Sequence, residues 1–221
     1  MTDYVKTVEI HCYLCIIFCK RGVEGIYKIS SFLTELMYRD NIIDRDKIDS
    51  CVYGIQITVA NMINFIIAFS IGILSGSLVE IALFYGIFVS LRFFCGGYHA
   101  KSYGRCFSLF ALTCLGYVTM TNEIQRHVGN PFWLLSTAII FLGICIWVKA
   151  PIEHTNRPFT AEERKLFRKR SIQLFLAWSV IGIVLWGGRL ERLSTGFACV
   201  FVIIAGYMLA ERGEKNEEEN A

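Results

Sequence analysis

The chain has 221 residues, of which 54% are hydrophobic and 19% charged, with a formal net charge of +3 and a mean hydropathy of +0.48. That is more apolar surface than a water-soluble domain can carry, and it reads as a polytopic membrane protein with one membrane domain. The small net charge gives no footprint for nucleic acid, because the basic residues are bunched between apolar runs instead of lying along a face.

Taken in chain order, the first fifty residues form an interfacial region facing the cytoplasm. The opening "MTDYVKTVEIHCYLCIIFCKR" has acidic residues ahead of a short apolar core and no small-residue cleavage pattern, so it is expected to stay with the protein. The run from Cys12 to Cys19 is too short to span a bilayer. A metal set of His11, Cys12, Cys15 and Cys19 can be drawn, but the cysteines alternate with bulky apolar residues and no second ligand pair follows, so no metal or other cofactor is expected. Further on, Ile26, Ile29, Leu33, Leu36 and Met37 recur at three- and four-residue steps among Lys28, Glu35 and Arg39. This is the pattern of an amphipathic helix lying on a membrane surface or on the bundle.

Residues 51–210 carry six apolar runs, Val52–Leu74, Leu78–Phe94, Cys106–Met120, Phe132–Val148, Ile172–Trp186 and Leu193–Leu209. They predict an all-α domain of about six transmembrane helices. Residues 211–221, an acidic tail, are expected to be a solvated end. Lys and Arg number seven before the first run, three in Arg92–Arg105, seven in Lys149–Arg170 and two in the tail. The alternate connections hold none, one (Arg126) and two (Arg189 and Arg192). With six spans, this sorting puts both termini and the Arg92–Arg105 segment in the cytoplasm, in a multi-pass protein of the cell membrane. Nine cysteines, an odd number with several inside apolar runs, argue against a disulfide framework.

Between the second and third runs lies "LRFFCGGYHAKSYGRCF", Leu91–Phe107. Its His99 and Cys106 are a candidate base and nucleophile: a thiol whose proton passes to an imidazole becomes a thiolate that can attack a carbonyl. Seven residues of continuous helix would hold them about 10 Å apart along the axis, beyond hydrogen-bond reach, so the segment must bend. Gly96, Gly97 and Gly104 permit a bend, and Ser102 is placed to cap the third span. Cys106 would then sit in a first helical turn beside Arg105, where the positive helix end favours a thiolate. The alternative is a Gly-rich connection with an inert cysteine at a helix start.

Three stretches together carry a resemblance. They are "RFFCGGYHAKSYGRC" at Arg92–Cys106, "YGIQ" at Tyr53–Gln56, and the proline-containing basic segment "KAPIEHTNRPFTAEERKLFRKRS" at Lys149–Ser171. In this order they resemble the accessory gene regulator B (AgrB) family, membrane cysteine endopeptidases of Gram-positive bacteria that process a quorum-sensing propeptide. The resemblance implies that His99 is the general base and Cys106 the nucleophile. It also implies a small AgrD-like propeptide as substrate, cleaved to release its acidic C-terminal part and cyclised to a thiolactone or lactone, and it suggests a homodimer.

Gln56, near the cytoplasmic end of the first span, is a candidate oxyanion donor, against a plain interhelical hydrogen bond. Arg92 is a candidate for meeting an acidic part of the substrate, against a snorkelling anchor. Gly96, Gly97, Lys101 and Arg105 complete the candidate substrate-binding set. Asn61, Asn64 and Glu80 are polar groups in or near spans, the asparagines expected to join helices and Glu80 to reach the outer interface. Readings from other classes are a small transporter with a re-entrant Gly-rich loop and a non-enzymatic scaffold. Against the first, the spans hold few ionisable groups and show no clear inverted repeat; for the second, Cys106 should be dispensable.

Overall fold

The structure is a computed structural model that describes residues 25–96, 103–127, 130–152 and 159–219. Among these the chain is helical, without strands. Helix α1 covers residues 25–39. After a 3₁₀ turn at Arg45–Lys47 come α2 (Ile48–Leu74), α3 (Leu78–Cys95), α4 (Tyr103–His127), α5 (Phe132–Lys149), α6 (Ala161–Gly187) and α7 (Glu191–Glu219). The protein is therefore an all-helical polytopic membrane protein.

Five helices are long and apolar enough to cross a bilayer: Arg45–Leu74, Leu78–Cys95, Phe132–Lys149, Ala161–Gly187 and Glu191–Ala210. The predicted third run, Cys106–Met120, lies inside α4, whose 25 residues extend about 37 Å and have the reach. It falls short of the other five in apolarity, because Arg105, Thr113, Thr119, Thr121, Asn122 and Glu123 punctuate it. Two more boundaries differ from the sequence reading. The basic segment expected as a loop to Ser171 is helical from Ala161 onward, because Thr160 caps α6: its hydroxyl accepts from the Glu163 N–H and its own N–H donates to the Glu163 carboxylate. Thr160→Ala is expected to cost about 1 kcal/mol, read as faster amide exchange confined to the first turn of α6; unchanged exchange there would contradict the cap's role. The acidic tail, expected as a solvated end, continues α7 to Glu219.

The chain divides into two compact units, Met1–Ser70 with Ala100–Leu112, and Ile71–His99 with Thr113–Ala221. In the first, α1 is a helix as predicted, and most of its apolar stripe faces away from the described residues. Ile26, Ser30 and Thr34, one turn apart, are buried, whereas Ile29, Leu33 and Leu36 are exposed along with Tyr27 and Phe32. Both buried hydroxyls donate to the carbonyl four residues back, Ser30 to Ile26 and Thr34 to Ser30, so small polar side chains lie inside at no cost in unpaired groups. The large apolar side chains are left to the surroundings, which suits a helix wetted by lipid.

In the second unit α7 is the central helix, packed on α3, α5 and α6. Phe197–Phe201, Ile204, Ala205 and Met208 are all buried, as expected for a helix apolar all round. The helices come close where small residues allow it: a Cβ at Gly182 of α6 would stand 3.1 Å from the Phe197 ring. Polar side chains clip the two ends of this bundle. At one end the Glu80 carboxylate pairs with Arg192, whose guanidinium also donates to Ser77 (3.3 Å) and Asn122 (3.4 Å). There too Gln125 donates to Thr195 at 2.8 Å and Trp186 to Asn130 at 3.2 Å. The predicted interfacial Glu80 is thus an ion-pair partner. Arg189 and Arg192 flank the start of α7 at this end, while Arg92, Lys149 and Arg168 sit toward the opposite helix ends. The uneven distribution read from the sequence is therefore a property of the folded bundle.

Candidate active site

The segment that holds the predicted chemistry begins where α3 stops. The Gly96 N–H still donates to the Arg92 carbonyl at 3.0 Å, but its φ of 75° and ψ of −156° belong to a region open essentially to glycine alone. The helix cannot continue through it. The peptide after α5 lies against this break: the Ile152 N–H donates to the Cys95 carbonyl at 2.9 Å, and a Cβ on Gly96 would stand 2.5 Å from the Ile152 carbonyl oxygen. Gly96 is thus required twice, by its conformation and by the close approach of another strand of chain. Gly97, His99, Lys101 and Ser102 lie outside the described residues, as do Glu153, His154 and the His11, Cys12, Cys15 and Cys19 set.

Arg92, on the last turn of α3, places its guanidinium 4.6 Å from the centroid of the Tyr207 ring and 5.4 Å from that of Phe88. Cation–π contact of this kind holds the charge against the bundle instead of letting it swing into water. The Tyr207 hydroxyl is in turn 2.7 Å from Thr113 Oγ1, which fixes the ring. Nearby in the fold, two residues before Arg92 on α3, Ser90 accepts a hydrogen bond from the Trp178 indole N–H at 3.0 Å. The Arg168 guanidinium reaches the Trp147 carbonyl at 3.3 Å and lies 5.8 Å from its ring centroid.

In the first unit, α4 opens with Tyr103, Gly104, Arg105 and Cys106. Gly104, one of the three glycines expected to permit a bend, is a buried residue within the first helical turn, and Gly96 is the residue at which α3 ends. Arg105 is exposed and Cys106 partly buried, and the six described cysteines are reduced thiols. Cys106 therefore stands in the first turn of a helix, the position expected from the sequence. Across from it on α2, Gln56 Oε1 accepts a hydrogen bond from the Tyr103 hydroxyl at 3.0 Å. Tyr103 and Cys106, three residues apart, share one side of α4, and Tyr53 and Gln56 are related in the same way on α2. Burial raises the Tyr103 phenol above its ordinary range, with Tyr53 and Cys106 adding to the shift. The phenol lies ahead of the apolar run and stays protonated at neutral pH, so it is a donor. Asn64 of α2 has a buried carbonyl oxygen without a hydrogen-bond partner among the described residues.

Tyr103 and Tyr207 were not singled out in the sequence. Tyr103 lies in a motif where glycine, histidine and cysteine draw attention, and Tyr207 lies in an apolar run where a tyrosine passes for packing. What marks each is a contact to a residue far away in the chain.

Comparison with known proteins agrees with this architecture. The chain is similar to an AgrB-like protein of Clostridium perfringens, 22% identical over 168 residues that cover 73% of this chain and 78% of the relative. An AgrB-like protein of Listeria innocua is likewise 22% identical over 171 residues, 76% of this chain and 82% of the relative. No solved structure matches the chain. The model of the accessory gene regulator B family matches residues 28–210, from within α1 to the membrane end of α7 and across both units. The chain belongs to the accessory gene regulator B family.

Proposed function

We propose that this member of an accessory gene regulator system is a membrane cysteine endopeptidase that cleaves and cyclises an AgrD-like propeptide. The observation that carries the reading is the first turn of α4, which carries Cys106 and whose Tyr103 hydroxyl donates to the Gln56 amide oxygen. A helix N-terminus favours a thiolate, and a side-chain amide at that level is a suitable donor to an oxyanion. The Cys106 thiolate attacks the scissile carbonyl, His99 having taken the thiol proton. Collapse of the tetrahedral intermediate breaks the C–N bond, and the imidazolium returns its proton to the leaving amine. The acyl group stays on Cys106 as a thioester. A Cys or Ser side chain of the bound peptide then attacks that thioester, closing the ring and regenerating the thiol, provided that water is kept away and the internal nucleophile held close.

In this reading Arg92, Gly96, Gly97, Lys101 and Arg105 line the substrate side. The basic run from Arg164 to Arg170 on α6 attracts an acidic C-terminal part of the propeptide. The active side and both termini face the cytoplasm, following the Lys and Arg sorting, and the working form is a homodimer in the bilayer. The test is to reconstitute the full-length protein in lipid vesicles with a candidate AgrD-like propeptide and to follow the peptide's mass. Release of the C-terminal fragment with a dehydrated, cyclic N-terminal product is expected. An intact propeptide would sink the proposal.

A further inference from the structure

Gln56 has two functional ends, a carbonyl oxygen that accepts and an NH₂ that donates, and only the second can stabilise an oxyanion. Left alone, a side-chain amide near a thiolate would sample both orientations, and the wrong one would set a carbonyl oxygen against developing negative charge. In the structure the Gln56 oxygen is occupied: the Tyr103 hydroxyl donates to Oε1 at 3.0 Å. A phenol is protonated at neutral pH, and burial, with Tyr53 and Cys106 adding to it, moves Tyr103 further from ionising. Its O–H is therefore available to donate to Oε1, as it does in the structure. Tyr103 also stacks with Phe107 one turn on, with ring centroids 6.5 Å apart and planes 28° apart, which restricts its swing. The donor lies three residues before Cys106, a rise of about 4.5 Å along α4, so the amide is bonded to a residue on the helical turn that carries the thiol.

We propose that Tyr103 is a positioning residue: by holding Gln56 Oε1 it turns the Gln56 NH₂ toward the carbonyl oxygen of an acyl group being transferred to Cys106. The inference rests on Cys106 as the nucleophile and goes beyond it by assigning how the donor is kept in one orientation. It makes Gln56 and Tyr103 one unit, in which the second acts through the first.

Two small electrophiles separate this role from a merely structural one. 4-Nitrophenyl acetate acylates a thiolate through a tetrahedral oxyanion, with 4-nitrophenolate leaving and an S-acetyl group remaining. Iodoacetamide alkylates the same thiolate by displacing iodide in one step, with no oxyanion. Full-length protein in lipid nanodiscs is treated with each, and the adduct at Cys106 is quantified by peptide mass. Gln56→Ala is expected to slow acetylation of Cys106 about 100-fold and Tyr103→Phe about tenfold. The double variant should be no slower than Gln56→Ala alone, since the tyrosine has nothing left to orient. Alkylation should stay within about twofold in all three, as the thiolate and its access are untouched.

Equal slowing of both reactions in Tyr103→Phe would overturn the inference in favour of a structural role. Unchanged acetylation in that variant would overturn it too, as would single-variant factors that multiply in the double variant. If wild-type Cys106 is acetylated no faster than the other cysteines, the nucleophile itself is wrongly assigned, and the inference falls with it.

Discussion

Replacing Cys106 by alanine is expected to abolish propeptide cleavage, a loss of at least about 10⁴-fold, and to leave the protein folded. The thiol is partly buried at a helix start, and cutting it back to a methyl group removes one sulfur atom without opening a deep cavity, so the stability change should stay near about 1 kcal/mol. His99→Ala is the companion. It removes the proton acceptor while leaving the nucleophile, so cleavage should fall by about 10² to 10⁴-fold and recover in part at higher pH, where the thiol ionises unaided. The two variants differ in one further respect. Mass analysis of quenched wild-type protein should show a thioester adduct equal to the propeptide less its C-terminal fragment; Cys106→Ala should show none at any pH. Normal cleavage by Cys106→Ala, or normal thioester yield from His99→Ala at neutral pH, would contradict the assignment, and the first result would favour a scaffold or transporter.

The second large effect is expected at Gly96. Any side chain there must adopt a backbone conformation reserved for glycine, which costs about 1 to 3 kcal/mol. Its Cβ must also displace the Ile152 carbonyl oxygen, 2.5 Å away. Together these should make Gly96→Ala lose about 3 kcal/mol or more and release the Ile152 N–H from the Cys95 carbonyl. Gly86, in the middle of α3, is the control: a Cβ there meets nothing within 4 Å, so Gly86→Ala should be neutral or slightly stabilising on helix propensity. Thermal unfolding of both variants in the same lipid, followed by amide exchange at Ile152, reads the difference. If Gly96→Ala melts with the wild type and keeps that amide protected, the bend does not depend on glycine.

Much of the fold was legible because lipid imposes a simple rule: each span must be long, apolar and helical. The runs from Val52, Leu78 and Phe132 thus agree with α2, α3 and α5 to within a few residues. Boundaries were missed where another force sets them. Ala161–Ser171 is rich in charge and reads as a loop, yet Thr160 and Glu163 start a helix there by satisfying its free N–H groups. On α1 the apolar periodicity left open whether Ile29, Leu33 and Leu36 meet a membrane surface or the bundle, and the structure leaves them exposed. Ser30 and Thr34 are buried, with their hydroxyls satisfied within the helix, and their small size suits close packing. A hydropathy pattern does not distinguish a face turned to protein from one turned to lipid.

The candidate site divides in the same way. The cysteine, the histidine and the glycines were visible as unusual residues in an apolar chain, and Gln56 as a polar group near a span end. That Gly96 ends α3 while Gly104 lies within α4 could not be read from composition alone; the demand for glycine at 96 comes from its backbone conformation and the approach of Ile152. The pairing of Gln56 with Tyr103 spans 47 residues, and that of Arg92 with Tyr207 joins α3 to α7. Neither leaves a local periodicity to read.

The bond between Cys95 and Ile152 bears on how segments can be exchanged between members of the family. A chimera that transplants only the segment from Lys149 to Ser171 brings a foreign backbone against the native Gly96, and one that transplants only Leu91–Phe107 does the reverse. The end of α3 at Cys95–Gly96 and Ile152 are matched to each other, and recombination points that take both from one parent are the ones that keep that fit.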